Sequence, residues 1–302
     1  MRPMSLPGDP TSASADLPIL FLFAKYLMRK RIRGGWRLLH TLNRLNLLRP
    51  TSFPLSDSVD IEVPLARVPM DLIDLKGYEA DLVRMMSKAV SGLPIPVTLL
   101  DCGADIGLFS LLIVSQCSSI ERIVAFEPNP EGFVWLERNL RRLPFPAEAR
   151  REALSNVSGS GILRRPRDGD YTAQYFEAHQ DGVVQSMTID SLGLPEGEGL
   201  VLKLDLEGGE LRALQGARRT VSAAADVIVS IEAHPDVARR TGVDPIECLR
   251  LLSDWRGCSF VAAETGTIIS PDRPIFEQLR ANRVYNIIGA SSPIVKALSN
   301  AA

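Results

Sequence analysis

An almost unbroken apolar run closed by a glycine turn, Val97-Thr-Leu-Leu-Asp-Cys-Gly-Ala-Asp-Ile-Gly107, constrains this chain more than any other segment. Side chains alternate across a strand, so a run apolar at nearly every position must be covered on both faces. Strands of that kind belong to parallel sheets sandwiched between helices. Gly103 and Gly107 let the chain turn sharply at the strand's C-terminal end and let a ligand lie against backbone there. A second strand, Arg122-Ile-Val-Ala-Phe-Glu127-Pro128, ends in an acid twenty residues beyond Gly107. At that separation a carboxylate can grip a ribose diol, so the two segments together predict a nucleoside site.

The missing residues narrow the nucleoside. A nicotinamide or flavin dinucleotide calls for G-x-G-x-x-G, whose middle glycine lets pyrophosphate approach backbone N–H groups at a helix N-terminus. Asp105 stands there instead, and its carboxylate would repel a phosphate. No G-x-x-x-x-G-K-[ST] loop occurs either, so a triphosphate lacks its usual cradle. S-adenosylmethionine carries no phosphate, and its sulfonium and ammonium groups favour nearby negative charge. The residues point to that methyl donor, with an NAD-type oxidoreductase as the disfavoured alternative.

The 302 residues suffice for one large core of about 200 residues plus an appended segment. A net charge of −2 argues against nucleic acid as a partner. Four cysteines without C-x-x-C spacing indicate neither a disulfide scaffold nor a zinc site and fit a reducing cytoplasm. The charge is unevenly spread: residues 17–50 hold Lys25, Arg29, Lys30, Arg31, Arg33, Arg37, Arg44 and Arg49 and no acid. Residues 1–16 read as a disordered leader, and 17–50 as a basic amphipathic helical extension with Leu38, Leu39, Leu42, Leu45 and Leu48 on one face. The favoured reading packs that face on the main domain and leaves a solvated basic side. The rival lays the helix peripherally on an anionic membrane. Lys25 interrupts the apolar stretch from Leu17 well short of the ~20 residues that span a bilayer.

Residues 51–92 read as a connecting segment, with short edge strands within Ser58–Leu75 and a helix from Tyr78 to Val90 ended by Gly92. From 93 to 290 strand and helix patterns alternate. Strands are predicted at 97–102, 121–127, 147–153, 183–189, 200–206, 226–232, 258–264 and 283–289, and helices at 107–117, 130–142, 209–222 and 244–254. A mostly parallel sheet covered by helices on both faces follows, with residues 291–302 as a tail.

Chemistry concentrates at the ends of two later strands. In Val201-Leu-Lys-Leu-Asp-Leu-Glu-Gly-Gly-Glu210, alternation puts Lys203, Asp205 and Glu207 on one face, a costly burial unless they pair or meet a ligand. The next strand sets Glu232 and His234 on one face at the same edge. Alkylating a hydroxyl needs in-line alignment and a destination for the proton. His234 could take it with a carboxylate orienting the ring. Alternatively Asp205, Glu207, Glu232 and His234 could hold a divalent cation such as Mg²⁺ that acidifies the hydroxyl. Both options stand at this level.

Taken in order, Asp101-Cys-Gly-Ala-Asp-Ile-Gly107, Phe126-Glu-Pro-Asn-Pro130, Glu152-Ala-Leu-Ser155, Met187-Thr-Ile-Asp190, Lys203 to Glu210 with Leu214-Gln-Gly216, Ile231-Glu-Ala-His234 and Tyr285-Asn286 resemble the FkbM-type methyltransferases over about residues 78–289. The resemblance implies a class I, Rossmann-like fold with a seven-stranded sheet whose last strand runs antiparallel. It implies O-methylation of a hydroxyl on a saccharide, glycolipid or secondary metabolite, the acceptor being a small molecule or a glycan- or lipid-linked one. It further implies that Asp101, Gly103 and Gly107 border the methionine moiety, Glu127 holds the ribose, and Glu152 and Ala153 lie near adenine. Ala104, Asp105, Pro128 and Asp205 complete the donor site, and Asp205, Glu207, Glu232 and His234 line the reaction cleft. Asp105 departs from the family, which more often has Asn there. A third reading, a non-catalytic module that keeps the fold to bind membrane or a partner, is opposed by the intact Asp205, Glu207 and His234.

Overall fold

The computed structural model describes residues 50–64, 75, 77–165 and 174–291 and the isolated positions 26 and 41. The expected leader, nearly all of the basic helix and the tail beyond Ser291 lie outside the described residues. Two units are distinguished, Met1–Ser52 with Glu62–Asp74, and Phe53–Ile61 with Leu75–Ala302. The second holds every site residue named above.

A two-stranded sheet of β1 (Thr51–Pro54) and β2 (Asp60–Val63) comes first, then α1 (Ala80–Ser91), β3 (Val97–Cys102), α2 (Leu108–Val114), β4 (Ile120–Phe126), α3 (Pro130–Leu140) and β5 (Ala147–Arg150). β6 (Ala153–Leu154), β7 (Gly159–Arg164), β8 (Tyr175–Ala178) and β9 (Val184–Met187) follow. The chain continues through β10 (Gly199–Leu204), α4 (Glu210–Gln215), α5 (Arg218–Ala223), β11 (Val227–Ala233), α6 (Pro235–Thr241), α7 (Ile246–Arg256), β12 (Ser259–Ala262), β13 (Ile268–Ile269), α8 (Ile275–Gln278) and β14 (Tyr285–Ala290).

The main sheet has the order β13-β12-β14-β11-β10-β3-β4-β5. β5, β4, β3, β10 and β11 pair in parallel, whereas β14 is antiparallel to both β11 and β12. The antiparallel last strand is the one expected, and the eighth strand is the two-residue β13 added at an edge. β3, β10 and β14 are buried at all six positions, as their largely apolar character demands.

Alternation splits this burial between two layers. Leu100, Cys102, Leu202, Leu204, Val229 and Ile231 meet Ala213, Leu214, Val221, Leu249 and Leu252 from α4, α5 and α7. Each such fully buried aliphatic side chain contributes about 1.5–3 kcal/mol. The opposite face carries α1 and α2. Helix α1 buries Leu82, Val83, Met85, Met86, Ala89 and Val90, carries Asp81 in its first turn and Lys88 in its last, and is capped by Gly92. Those terminal charges complement its dipole. Helix α3 starts on a capping Asn129, whose side chain accepts from Glu131 N–H, followed by Pro130.

Three expectations need correction. The strand expected over 147–153 divides into β5 in the main sheet and β6 elsewhere. The strand near 183–189 becomes β9, in a separate four-stranded sheet ordered β6-β9-β7-β8. Only Ser186 of β9 is buried, too little for an interior strand of the main sheet. The helix expected over 209–222 breaks into α4 and α5 at Gly216, where any β-carbon would overlap the Ser155 carbonyl of the chain crossing it.

Candidate active site

The glycine turn is held tightly at the end of β3. Gly103 and Ala104 N–H both donate to Phe126 O, at 3.0 and 2.9 Å, and Asp205 N–H donates to Cys102 O at 3.0 Å. Gly103 has φ +89°, and a β-carbon there would overlap the Asp205 carbonyl oxygen, so only glycine lets the ends of β3 and β10 come this close. Gly107, φ +86°, starts α2.

Glu127 points back over this turn. Its Oε2 accepts from Asp105 N–H at 2.9 Å and its Oε1 from Asn129 N–H at 2.8 Å, so the carboxylate is clamped between the two loops. Asp105 reaches this geometry with φ +46°, a left-handed conformation that costs a non-glycine residue about 1–3 kcal/mol. Gly132, in the first turn of α3, faces both Glu127 and Asp105. Pro128 continues the same loop. Glu152 and Ala153 follow the neighbouring β5, whose Arg150 carbonyl accepts from Glu127 N–H at 2.9 Å; Glu152 lies 3.9 Å from Arg150, and Ala153 is buried in β6.

Beneath α1 and α2 lies a buried layer of charge. Lys203 is in register with Asp101 on β3 and Ser230 on β11, and 2 % of it is exposed. Its Nζ donates to Asp205 Oδ2 at 2.6 Å, approaches Glu79 Oε2 at 4.0 Å, and rests 5.3 Å from the centre of the Phe109 ring. Asp101 is fully buried and accepts from Ser110 Oγ at 2.6 Å through Oδ2. Burial pushes the Asp101 carboxyl up, with Lys203 and Ser110 opposing. Burial alone would lower the Lys203 ammonium, but Asp205, Glu79, Tyr78 and Asp101 together raise it well above the ordinary lysine value. Sequence reasoning missed Glu79, because an acid at the start of a helix reads as a response to the helix dipole.

At the far edge the expected alternation of Lys203, Asp205 and Glu207 stops early. β10 ends at Leu204, and Glu207, φ +52°, turns toward Arg240, whose guanidinium donates to Glu207 O at 2.6 Å. Glu210 instead stabilises the loop, accepting from Leu206 and Gly208 N–H at 2.8 and 3.1 Å. Glu232 lies opposite Asn286 of β14, whose side chain and N–H donate to Glu264. Burial, reinforced by Asp205, Glu207 and Glu210, lifts the Glu232 carboxyl well above its ordinary value against the pull of Lys203. His234 is the N-cap of α6, its Nδ1 accepting from Asp236 N–H at 3.1 Å. In a neutral ring that hydrogen bond leaves the proton on Nε2, so the other nitrogen is a donor in this state.

A cavity of about 400 Å³ opens beside Glu207, lined among others by Tyr175, Phe176, Leu211, Arg212 and Arg240. Arg240 is fixed there by Glu207 and lies 4.6 Å over the Tyr175 ring.

The turn therefore suits a cationic nucleoside free of phosphate: the charged side chains around it include Asp101, Asp105 and Glu127, and Asp101 Oδ1 is buried without a hydrogen-bond partner among the described residues. A metal fits less well. Among the described residues no three of the His, Cys, Asp and Glu side chains converge as ligands.

The family model described as "Methyltransferase FkbM domain" matches residues 101–261. Hexuronic acid methyltransferase AglP of Haloferax volcanii is 32% identical over 192 residues, 60% of this chain and 70% of that protein. Among solved structures, methyltransferase FkbM from Methylobacillus flagellatus KT is 21% identical with a TM-score of 0.40, covering 66% of this chain and 45% of its own. N-methyltransferase NodS from Bradyrhizobium japonicum WM9 is 10% identical with a TM-score of 0.42, covering 72% and 98%.

Proposed function

Because the chain belongs to the FkbM methyltransferase family and is an S-adenosylmethionine-dependent methyltransferase, we propose that it methylates a hydroxyl group of a saccharide, a glycolipid or a related secondary metabolite. One observation carries the reading: Glu127 is clamped over the glycine turn at the end of β3, while beyond the end of β10 Asp205 and Glu207 act on the buried Glu232 and a cavity opens beside Glu207. The hexuronic acid specificity in the name of the Haloferax relative supports a sugar acceptor.

When bound, S-adenosylmethionine supplies a methyl group on a positively charged sulfur. Asp101, Gly103, Ala104, Asp105 and Gly107 hold its amino-acid end, Glu127 and Pro128 its ribose, and Glu152 with Ala153 its base. Glu232, buried beside Asp205 and Glu207, is assigned the role of general base for the acceptor hydroxyl. His234 presents Nε2–H and positions the acceptor oxygen. The ion pair with Lys203 keeps Asp205 fixed at the junction of the donor and acceptor regions. Arg240, Arg212 and Tyr175 receive the rest of the acceptor.

The test is incubation of the protein with methyl-labelled S-adenosylmethionine and a panel of glycans, glycolipids and polyketides. Label transferred to a sugar hydroxyl meets the expectation. Transfer only to nitrogen, or to none of these classes, refutes it.

A further inference from the structure

Two buried carboxylate oxygens, Asp101 Oδ1 and Glu79 Oε2, accept no hydrogen bond among the described residues. Both residues face Lys203, but its ammonium lies 2.6 Å from Asp205 and 4.0 Å from Glu79. One cation thus stands among three carboxylates. An excess of buried negative charge costs several kcal/mol unless a proton or a second cation joins it. Glu79 also has φ +43° and ψ +40° at the N-cap position of α1, and its side chain makes no cap hydrogen bond. An N-cap ordinarily has extended backbone and a side chain that accepts from the first helical turn. Glu79 gives up both, holding its carboxylate toward the end of β3 instead. Folding of α1 does not account for that choice.

The geometry points to Glu79 as a donor-binding residue that, with Asp101, receives the ammonium at the methionyl end of S-adenosylmethionine. This inference rests on the reading of the glycine turn as the donor site. It extends that reading by bringing in a residue of the helix that precedes the sheet.

The groups facing Glu79 set its proton. Burial raises its carboxyl to about 7; Lys203 opposes this, while Asp205, Asp101 and Glu264 add to it, and Tyr78 adjoins. Near neutral pH a share of the protein therefore carries a proton on Glu79. An arriving ammonium favours the carboxylate, and that proton leaves to solvent.

Calorimetric titration of the full chain and of Glu79→Gln tests this with three ligands: S-adenosylmethionine, S-adenosylhomocysteine, and 5′-methylthioadenosine, which lacks the amino-acid end. Losing a charge-assisted hydrogen bond should weaken the first two by about ten- to a hundredfold in the variant and leave methylthioadenosine unchanged. At pH 7 the wild type should release protons on binding S-adenosylmethionine, seen as a binding heat that varies with the buffer's ionisation enthalpy, and none on binding methylthioadenosine. Equal affinity of S-adenosylmethionine for the two proteins overturns the assignment. If the variant fails to bind methylthioadenosine as well, it has misfolded, and the wild-type proton release decides alone, its absence overturning the proposal. Failure of the wild type to bind any of the three would instead sink the donor reading beneath it.

Discussion

Lys203 Nζ lies 2.6 Å from Asp205 Oδ2, two residues further along the same chain, while the Lys203 backbone is in register with Asp101 on the adjacent strand. One cation thereby links the glycine turn after β3 to the acidic edge after β10. Removing it would leave Asp101, Asp205 and Glu79 as buried charge without a counter-ion. Lys203→Met should destabilise the protein by about 3–5 kcal/mol, the usual result of stripping one partner from a buried ion pair, and chemical denaturation would measure it.

Glu127 is held over the glycine turn by two backbone N–H groups. Glu127→Ala should weaken S-adenosylmethionine binding by about ten- to a hundredfold by calorimetry, since hydrogen bonds to a charged group contribute about 1.5–3 kcal/mol. An unchanged affinity would remove Glu127 from the donor site.

His234 caps α6 and is proposed to position the acceptor oxygen, and two substitutions separate these roles. His234→Asn keeps a side-chain acceptor for Asp236 N–H, so its melting temperature should match the wild type, whereas His234→Ala should lose about 1 kcal/mol. Both should lose turnover and retain donor affinity. Recovery of activity in the Asn variant would show that the cap alone mattered.

Gly103→Ala should not fold well. The added carbon overlaps the Asp205 carbonyl oxygen and φ is +89°, so the ends of β3 and β10 must separate. A cost of about 3 kcal/mol or more is expected. A melting curve unchanged from wild type would contradict the described approach of the two strands.

Glu79 ties the stability of the donor-free protein to pH. Its folded-state carboxyl is raised from 4.5 to about 7, so the folded state binds the proton more tightly than the unfolded chain does. The favourable contribution is complete below about 4.5 and is lost as pH rises through about 7. Glu79→Gln cannot ionise. Without donor it should melt higher than wild type at pH 8 and lose that advantage at pH 4.5; melting curves across this range would show the crossover or its absence.

The first half of the site was legible in the residues themselves. A strand apolar on both faces, glycines at 103 and 107 and an acid at 127 follow from the needs of backbone and burial, which act locally, and the structure puts Glu127 on the turn those glycines make. The expected face-sharing of Asp205 with Lys203 also holds, because period-two alternation is a property of any strand. Glu207 escaped that logic once β10 ended at Leu204 and its backbone turned left-handed.

Sequence alone therefore determined the parallel core, the glycine turn and the acidic strand ends, since each depends on a residue's own conformational limits or on its immediate neighbours. Only the tertiary structure decided that β9 leaves the main sheet, that His234 spends Nδ1 on a helix cap, that Arg240 fastens Glu207, and that Glu79 comes within 4.0 Å of Lys203. Those outcomes depend on which distant segments share one small buried volume. Desolvation and Coulomb energy act on distance in space, and 124 positions of sequence (203 − 79) separate two charges that the fold sets side by side.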